Sequence, residues 1–230
     1  VGDVQLPGLL HAVFVRSAHA HGRVLSVDVA AALDAPGVRA VLTAADFAGL
    51  PAPQVNALLP ALQLPTTGAI APDRVLAVGA PLALVVADTR AQAQAAADLV
   101  WADIEEWAAV ADGADAQAAP IDAGVSGNRV ATVGLGDGVM PQRPATARVQ
   151  IQLPRVAASP LEPRAAVMQW DAPTQRLKAW LSTQTPSRAR AELAQALGLA
   201  QDAVQVIAPD EGGAFGGKAS ICPEDLMLAV

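Results

Sequence analysis

The segment Asp210-Glu-Gly-Gly-Ala-Phe-Gly-Gly-Lys218 constrains this chain more than any other. Gly212, Gly213, Gly216 and Gly217 free its backbone to enter φ > 0 and to approach a ligand closely. Successive N–H groups in such a loop form a nest for an anion, so a phosphate or an oxo-metal group is its natural guest. The loop follows Val204 to Ala208, an apolar run that reads as a strand. A glycine-rich structural turn is the competing reading, and spacing alone leaves both open. Gly212, Gly217 and Lys218 fit the P-loop pattern G-x-x-x-x-G-K-[ST], but Ala219 stands where the magnesium-binding hydroxyl belongs. The dinucleotide pattern G-x-G-x-x-G fails here, and it fails again at Gly134-Leu-Gly-Asp-Gly138.

Two further segments carry polar chemistry. Ser182-Thr-Gln-Thr-Pro186 sits between an apolar run, Leu177 to Leu181, and a helix start in which Thr185 caps and Pro186 takes the first helical position. A helix start offers unpaired N–H groups and the positive end of a dipole, and Gln184 adds an amide that donates and accepts. A plain capping turn would look the same. In Pro160-Leu-Glu-Pro-Arg164 the prolines bring a carboxylate and a guanidinium together, and a local ion pair between Glu162 and Arg164 is expected. His19 and His21 could share a strand face as metal ligands do, but His11 is the only other histidine, so no metal held by side chains is expected. Cys222 is the single cysteine and reads as a core or loop residue. That count excludes an internal disulfide and an all-cysteine zinc or iron–sulfur site in this chain.

The 230 residues are 53% apolar and 16% charged, enough to fill a core. A net charge of −7 repels polyanions, so nucleic acid is not an expected partner. No stretch is long and apolar enough for a membrane span, and no signal peptide shows at Val1. A cytoplasmic location is the expectation, as is a piece of a longer protein.

The order of elements predicts an α+β fold. Strands are expected over Leu9 to Val15, Val24 to Val29, Val38 to Leu42, Leu82 to Ala87 and Val100 to Ile104. Helices are expected at Ala30 to Leu33, in a short turn capped by Thr43, and from Arg90 to about Leu99 behind the Thr89 cap. Pro51, Pro53, Pro60, Pro65 and Pro72 mark residues 50–74 as a long loop. Residues 111–145 turn to Ala, Gly, Asp and Pro and read as a linker, dividing the chain into units at 1–110 and 146–230. Regular structure is expected to resume at Ala147 to Leu153. A hairpin around Asp171-Ala-Pro173 and a helix from Thr185 to Gly198 follow.

Taken together, these segments resemble the large subunit of the xanthine dehydrogenase/aldehyde oxidase family of molybdenum hydroxylases. Val1 to His11, Val15 to His21, Pro36 to Asp46 and Val78 to Asp88 are similar to its α/β hammerhead domain. Pro160 to Arg164, Ser182 to Gln184 and Gly212 to Lys218 are similar to the start of its molybdopterin-binding domain. The resemblance implies a fold of a hammerhead domain followed by the first part of a molybdopterin-binding α+β domain. It implies that Gln184 supports catalysis beside the metal and that Gly213, Ala214, Phe215 and Gly216 face the cofactor. It further implies that Phe215 and Ala219 border the substrate channel. Purine-oxidising members carry Glu where this chain has Ala219, which points away from a purine. Ser159 stands where His is common, and Glu211 where a small or branched residue is usual.

The implied activity is oxidation of an aldehyde or N-heterocycle with water as the oxygen source, as part of a longer chain or complex. The implied cofactor is molybdenum–molybdopterin, in its plain or its cytosine dinucleotide form, with the general base outside this chain. Electrons would pass to [2Fe-2S] and FAD on partner subunits or domains, in an oligomeric complex. The competing expectations are a non-catalytic assembly module and a phosphate-binding α/β protein.

Overall fold

The computed structural model describes residues 1–51, 62–65, 68–70, 72–111, 118–133, 147, 149, 151, 153 and 156–230. Its first body runs through β1 (His11–Arg16), β2 (Gly22–Asp28), α1 (Ala30–Leu33), β3 (Val38–Thr43), β4 (Arg74–Val75), β5 (Pro81–Ala87), α2 (Arg90–Ala97) and β6 (Trp101–Glu106). These strands make two three-stranded sheets, ordered β1-β5-β3 and β4-β2-β6. β5 is antiparallel to both of its neighbours and buried on both faces, which its uninterrupted Leu-Ala-Leu-Val-Val-Ala run requires. Alternate β5 residues serve opposite layers. Val85 packs with Ala96 and Ala97 of α2, and Leu84 packs with Phe47 and Ile70 on the other face. α2 begins as expected: the Thr89 hydroxyl accepts the Gln92 N–H at 3.2 Å. Its buried residues are Ala93, Ala96 and Ala97, small enough to let the helix lie close on the sheet.

The second body contains β7 (Ala166–Asp171), β8 (Arg176–Leu181), α3 (Pro186–Leu197), β9 (Val204–Ile207) and α4 (Pro223–Met227). β7 and β8 form the expected antiparallel hairpin, and β9 joins β8 in parallel after the α3 crossover. α3 buries Ala189, Leu193 and Ala194 against Leu177, Ala179, Leu181 and Val204. Gly198 ends it in the left-handed conformation at φ 66°. The short α4 returns to the first body. Met227 joins the cluster around Leu84, and Glu224 accepts from Arg16 at 2.5 Å.

Three expectations change. Thr43 caps no helix: Asp46 accepts from the Thr43 N–H at 2.7 Å and closes a turn instead. The described residues Ala147, Val149, Ile151 and Leu153 lie in no strand. Val149, Ile151 and Leu153 stand exposed, and alternation makes a strand only where a neighbouring strand and a covering layer exist. Finally, Glu162 and Arg164 do not pair with each other, as described below. Residues 118–133 are held by polar contacts: Asp122 pairs with Arg74 of β4 at 2.5 Å, and Asn128 Oδ1 accepts the Ile121 N–H at 2.7 Å. Most of the proline-rich loop and the Gly134 to Gly138 run lie outside the described residues.

Candidate functional site

Gly212 opens the glycine loop in close contact with Glu162. The Gly212 N–H donates to Glu162 Oε2 at 2.7 Å, and the Glu162 N–H donates to the Gly212 carbonyl at 3.3 Å. A Cβ on Gly212 would lie 2.6 Å from the Glu162 Cβ, so only glycine fits. The Gly212 N–H also holds the Glu162 carboxyl below the usual carboxylate range. Gly213 and Gly216 adopt φ of 101° and 84°, and Phe215 between them adopts 49°. The Gly217 N–H then donates to the Ala214 carbonyl at 2.8 Å and closes the turn.

Arg164 fixes the far end of the loop. Its guanidinium donates to the Gly217 and Ser220 carbonyls at 3.0 Å each and to Asp225 Oδ2 at 2.8 Å. The Pro-Leu-Glu-Pro-Arg segment therefore spans the loop as a bracket, with Glu162 on one side and Arg164 on the other. The prolines keep the two side chains extended toward different partners, which is why the expected local ion pair does not form. Asp225 also accepts from the Cys222 N–H at 2.9 Å, so Arg164, Cys222 and the start of α4 share one carboxylate. Burial pushes the Cys222 thiol up to about 12, which keeps it protonated and unreactive.

The Ser182-to-Pro186 turn meets the loop from the other side. The Gln184 N–H donates to the Lys218 carbonyl at 3.2 Å, and the Thr185 hydroxyl donates to the Ala219 carbonyl at 2.7 Å. Thr185 occupies the capping position of α3 but spends its hydroxyl on Ala219 rather than on the helix. The Thr183 hydroxyl does the local capping work, accepting the Thr185 N–H at 3.1 Å. Gln184 Oε1 accepts the Gly216 N–H at 3.2 Å. That donor assigns the amide oxygen to the loop side, and the amide N–H groups have no partner among the described residues. Among the described residues, the N–H groups of Gly213, Ala214 and Phe215 have no partner. Gln184 and Phe215 are exposed, Phe215 to 78%.

The structure thus brings Gln184, Gly213, Ala214, Phe215, Gly216 and Ala219 into one surface. Its unpartnered N–H donors fit a ligand rich in anionic oxygen. Lys218 is not among the presented groups. It is 1% exposed and its ammonium lies 2.8 Å from Glu211 Oε2, so it cannot reach a phosphate as a P-loop lysine does. His21 is likewise committed, with Nδ1 2.9 Å from the Ala108 carbonyl and its ring edge-on to Trp107. The roles of Glu162 and Arg164 at the loop ends escape the sequence, because each lies about fifty residues from its partner. The rigid proline pair and the family resemblance of Pro160 to Arg164 single out the segment without naming its partners.

Among the described residues, no helix is long and apolar enough to cross a membrane. Residues 1–107 match the family described as aldehyde oxidase and xanthine dehydrogenase, a/b hammerhead domain, and residues 124–230 match the molybdopterin cofactor-binding domain. The nicotine 6-hydroxylase large subunit of Paenarthrobacter nicotinovorans is 35% identical over 99% of this chain and 29% of its own length. The carbon monoxide dehydrogenase large chain of Hydrogenophaga pseudoflava is 32% identical over 97% of this chain and 30% of its own. The crystal structure of quinoline 2-oxidoreductase from Pseudomonas putida 86 superposes with a TM-score of 0.87 at 34% identity, covering 99% of this chain and 30% of that one. The chain spans about 30% of the length of these relatives. With both matches in sequence order and the α+β fold they require, this chain belongs to the xanthine dehydrogenase/aldehyde oxidase family of molybdenum hydroxylases.

Proposed function

We infer that this chain is part of a molybdenum hydroxylase large subunit, and that the glycine loop and Gln184 form one wall of its cofactor site. One observation carries this reading. The Gly216 N–H holds Gln184 Oε1 at 3.2 Å beside the N–H groups of Gly213, Ala214 and Phe215, which have no partner among the described residues, and this supports one shared guest for the set. Such a donor set suits the oxygen-rich face of a molybdenum–molybdopterin cofactor. When bound, that cofactor supplies the oxidation chemistry, with water as the source of oxygen.

The chain's own part is to bind and orient. Gln184 donates to an anionic oxygen, and the loop N–H groups add preorganised dipoles that need no rearrangement. Phe215 and Ala219 border the approach of the substrate. An aldehyde or an N-heterocycle fits this frame. The names of the nicotine and quinoline relatives support the N-heterocycle. Ala219 supports a non-purine, since purine-oxidising members carry Glu there. The cytosine dinucleotide form of the cofactor, [2Fe-2S] and FAD on partner subunits, an oligomeric complex and a cytoplasmic location belong to the same reading. So does the division into units 1–110 and 146–230 joined by 111–145.

The test is to purify the full-length protein with its associated subunits. Molybdenum, pterin and any released cytidine nucleotide are assayed, followed by turnover of quinoline, benzaldehyde and xanthine. Stoichiometric molybdenum with turnover of quinoline or benzaldehyde, and none of xanthine, is expected. A full-length protein with no molybdenum or pterin would overturn the reading and favour an assembly module.

A further inference from the structure

Among the described residues Lys218 is the largest fully buried side chain, and it carries a charge. Its ammonium meets Glu211 Oε2 at 2.8 Å, across the mouth of the glycine loop. The other oxygen, Glu211 Oε1, is buried and has no hydrogen-bond partner. The Lys218 backbone carries a second set of contacts. Its carbonyl accepts from the Thr183 hydroxyl at 3.3 Å and from the Gln184 N–H at 3.2 Å. One residue therefore joins the loop's entrance, through its side chain, to the Gln184 turn, through its backbone.

We propose that the Glu211–Lys218 ion pair is a positioning lock, which closes the glycine loop at its base and thereby sets Gln184 against Gly216. The proposal rests on the reading of this loop as a cofactor wall, and it assigns the pair no contact with cofactor or substrate. A lock made from a buried ion pair has a particular signature. Removing one partner strands the other charge, whereas replacing both by apolar groups of similar size is nearly neutral. The two single changes are also unequal here. The Glu211 side chain is 18% exposed and Lys218 only 1%, so a carboxylate left alone stands nearer to water than an ammonium left alone. Glu211→Leu thus strands the ammonium and has the larger effect, and Lys218→Met has the smaller one.

The experiment uses the full-length protein with its subunits and compares Glu211→Leu, Lys218→Met and the double variant. Hydrogen–deuterium exchange is followed by mass spectrometry in peptides covering residues 182–186 and 211–220, beside molybdenum per chain. Each single variant is expected to exchange about tenfold faster or more in both peptides and to lose molybdenum, with Glu211→Leu the worse. The double variant is expected to return toward the wild type in both readouts. A double variant no better than the worse single would overturn the lock, as would single variants that exchange like the wild type. The exchange readout needs no cofactor. A wild-type protein without molybdenum defeats the cofactor reading alone, and the exchange pattern still decides the lock.

Discussion

The β1-β5-β3 sheet and the glycine loop are held by opposite means. Around β5, stability comes from packing: Leu84, Val85, Ala93 and Ala96 lose nearly all contact with water and carry no polar group to satisfy in their side chains. Around Gly212 to Lys218 there is little apolar material, and Phe215, its one large apolar side chain, faces solvent. There the backbone is fixed by Glu162, Arg164, Gln184 and the Glu211–Lys218 pair. A packed layer is held by contacts that have no direction and offers no polar group to a guest. A loop set by directed hydrogen bonds holds its N–H groups in one arrangement and leaves them free for a guest. The difference separates a scaffold from a site.

Breaking each region should therefore have different consequences. The largest loss of stability belongs to the scaffold. Leu84→Ala empties a fully enclosed position and should cost about 2–5 kcal/mol, read from the urea midpoint, with molybdenum per folded chain unchanged. Arg164→Ala comes next. It leaves the Gly217 and Ser220 carbonyls without their side-chain donor and Asp225 with only the Cys222 N–H, at a cost of about 1–3 kcal/mol, and molybdenum should fall with it. Thr89→Ala removes the cap of α2 and should cost about 1 kcal/mol with the cofactor untouched. Phe215→Ala sharpens the contrast. An exposed side chain contributes little to folding, so stability and metal content should hold while the ratio of quinoline to benzaldehyde turnover shifts.

Alkali offers a milder probe of the join between the two regions. The folded Cys222 thiol is pushed up to about 12, against about 8.5 in an unfolded chain. Above pH 8.5 the unfolded chain gives up this proton and the folded chain does not. The stabilisation is complete below that pH and is lost as pH rises toward 12. Cys222→Ser should flatten that part of the stability–pH curve, measured by urea unfolding between pH 8 and 10.

How much was legible in the sequence follows the same division. The run Leu82 to Ala87, the Thr89 cap and the Gly198 stop each announce themselves within a few residues, and the structure keeps all of them. Local periodicity and capping depend on neighbours in the chain, so they can be read there. The glycine loop could be seen as a loop, and its family resemblance supplied Gln184 as its companion. The partners that fix it could not be read. Glu162 and Arg164 look like a local pair, because sequence spacing shows their proximity to each other and hides the carbonyls and N–H groups they reach. Of the strand expected at Ala147 to Leu153, only Ala147, Val149, Ile151 and Leu153 are described and none of them lies in a strand, since alternation alone supplies no partner edge.

The central claim is that the loop's backbone conformation, rather than its side chains, prepares the cofactor wall. Gly216 tests this most directly, because a Cβ there meets nothing within 4 Å while its φ is 84°. Gly216→Val in the full-length protein therefore strains the loop without a steric clash in this chain, at about 1 kcal/mol or more. The measurement is molybdenum per chain in that variant beside the wild type, purified with the associated subunits. A marked loss of molybdenum from a protein that remains folded is the predicted result. Full molybdenum occupancy with normal turnover would contradict the account and leave the loop a structural turn.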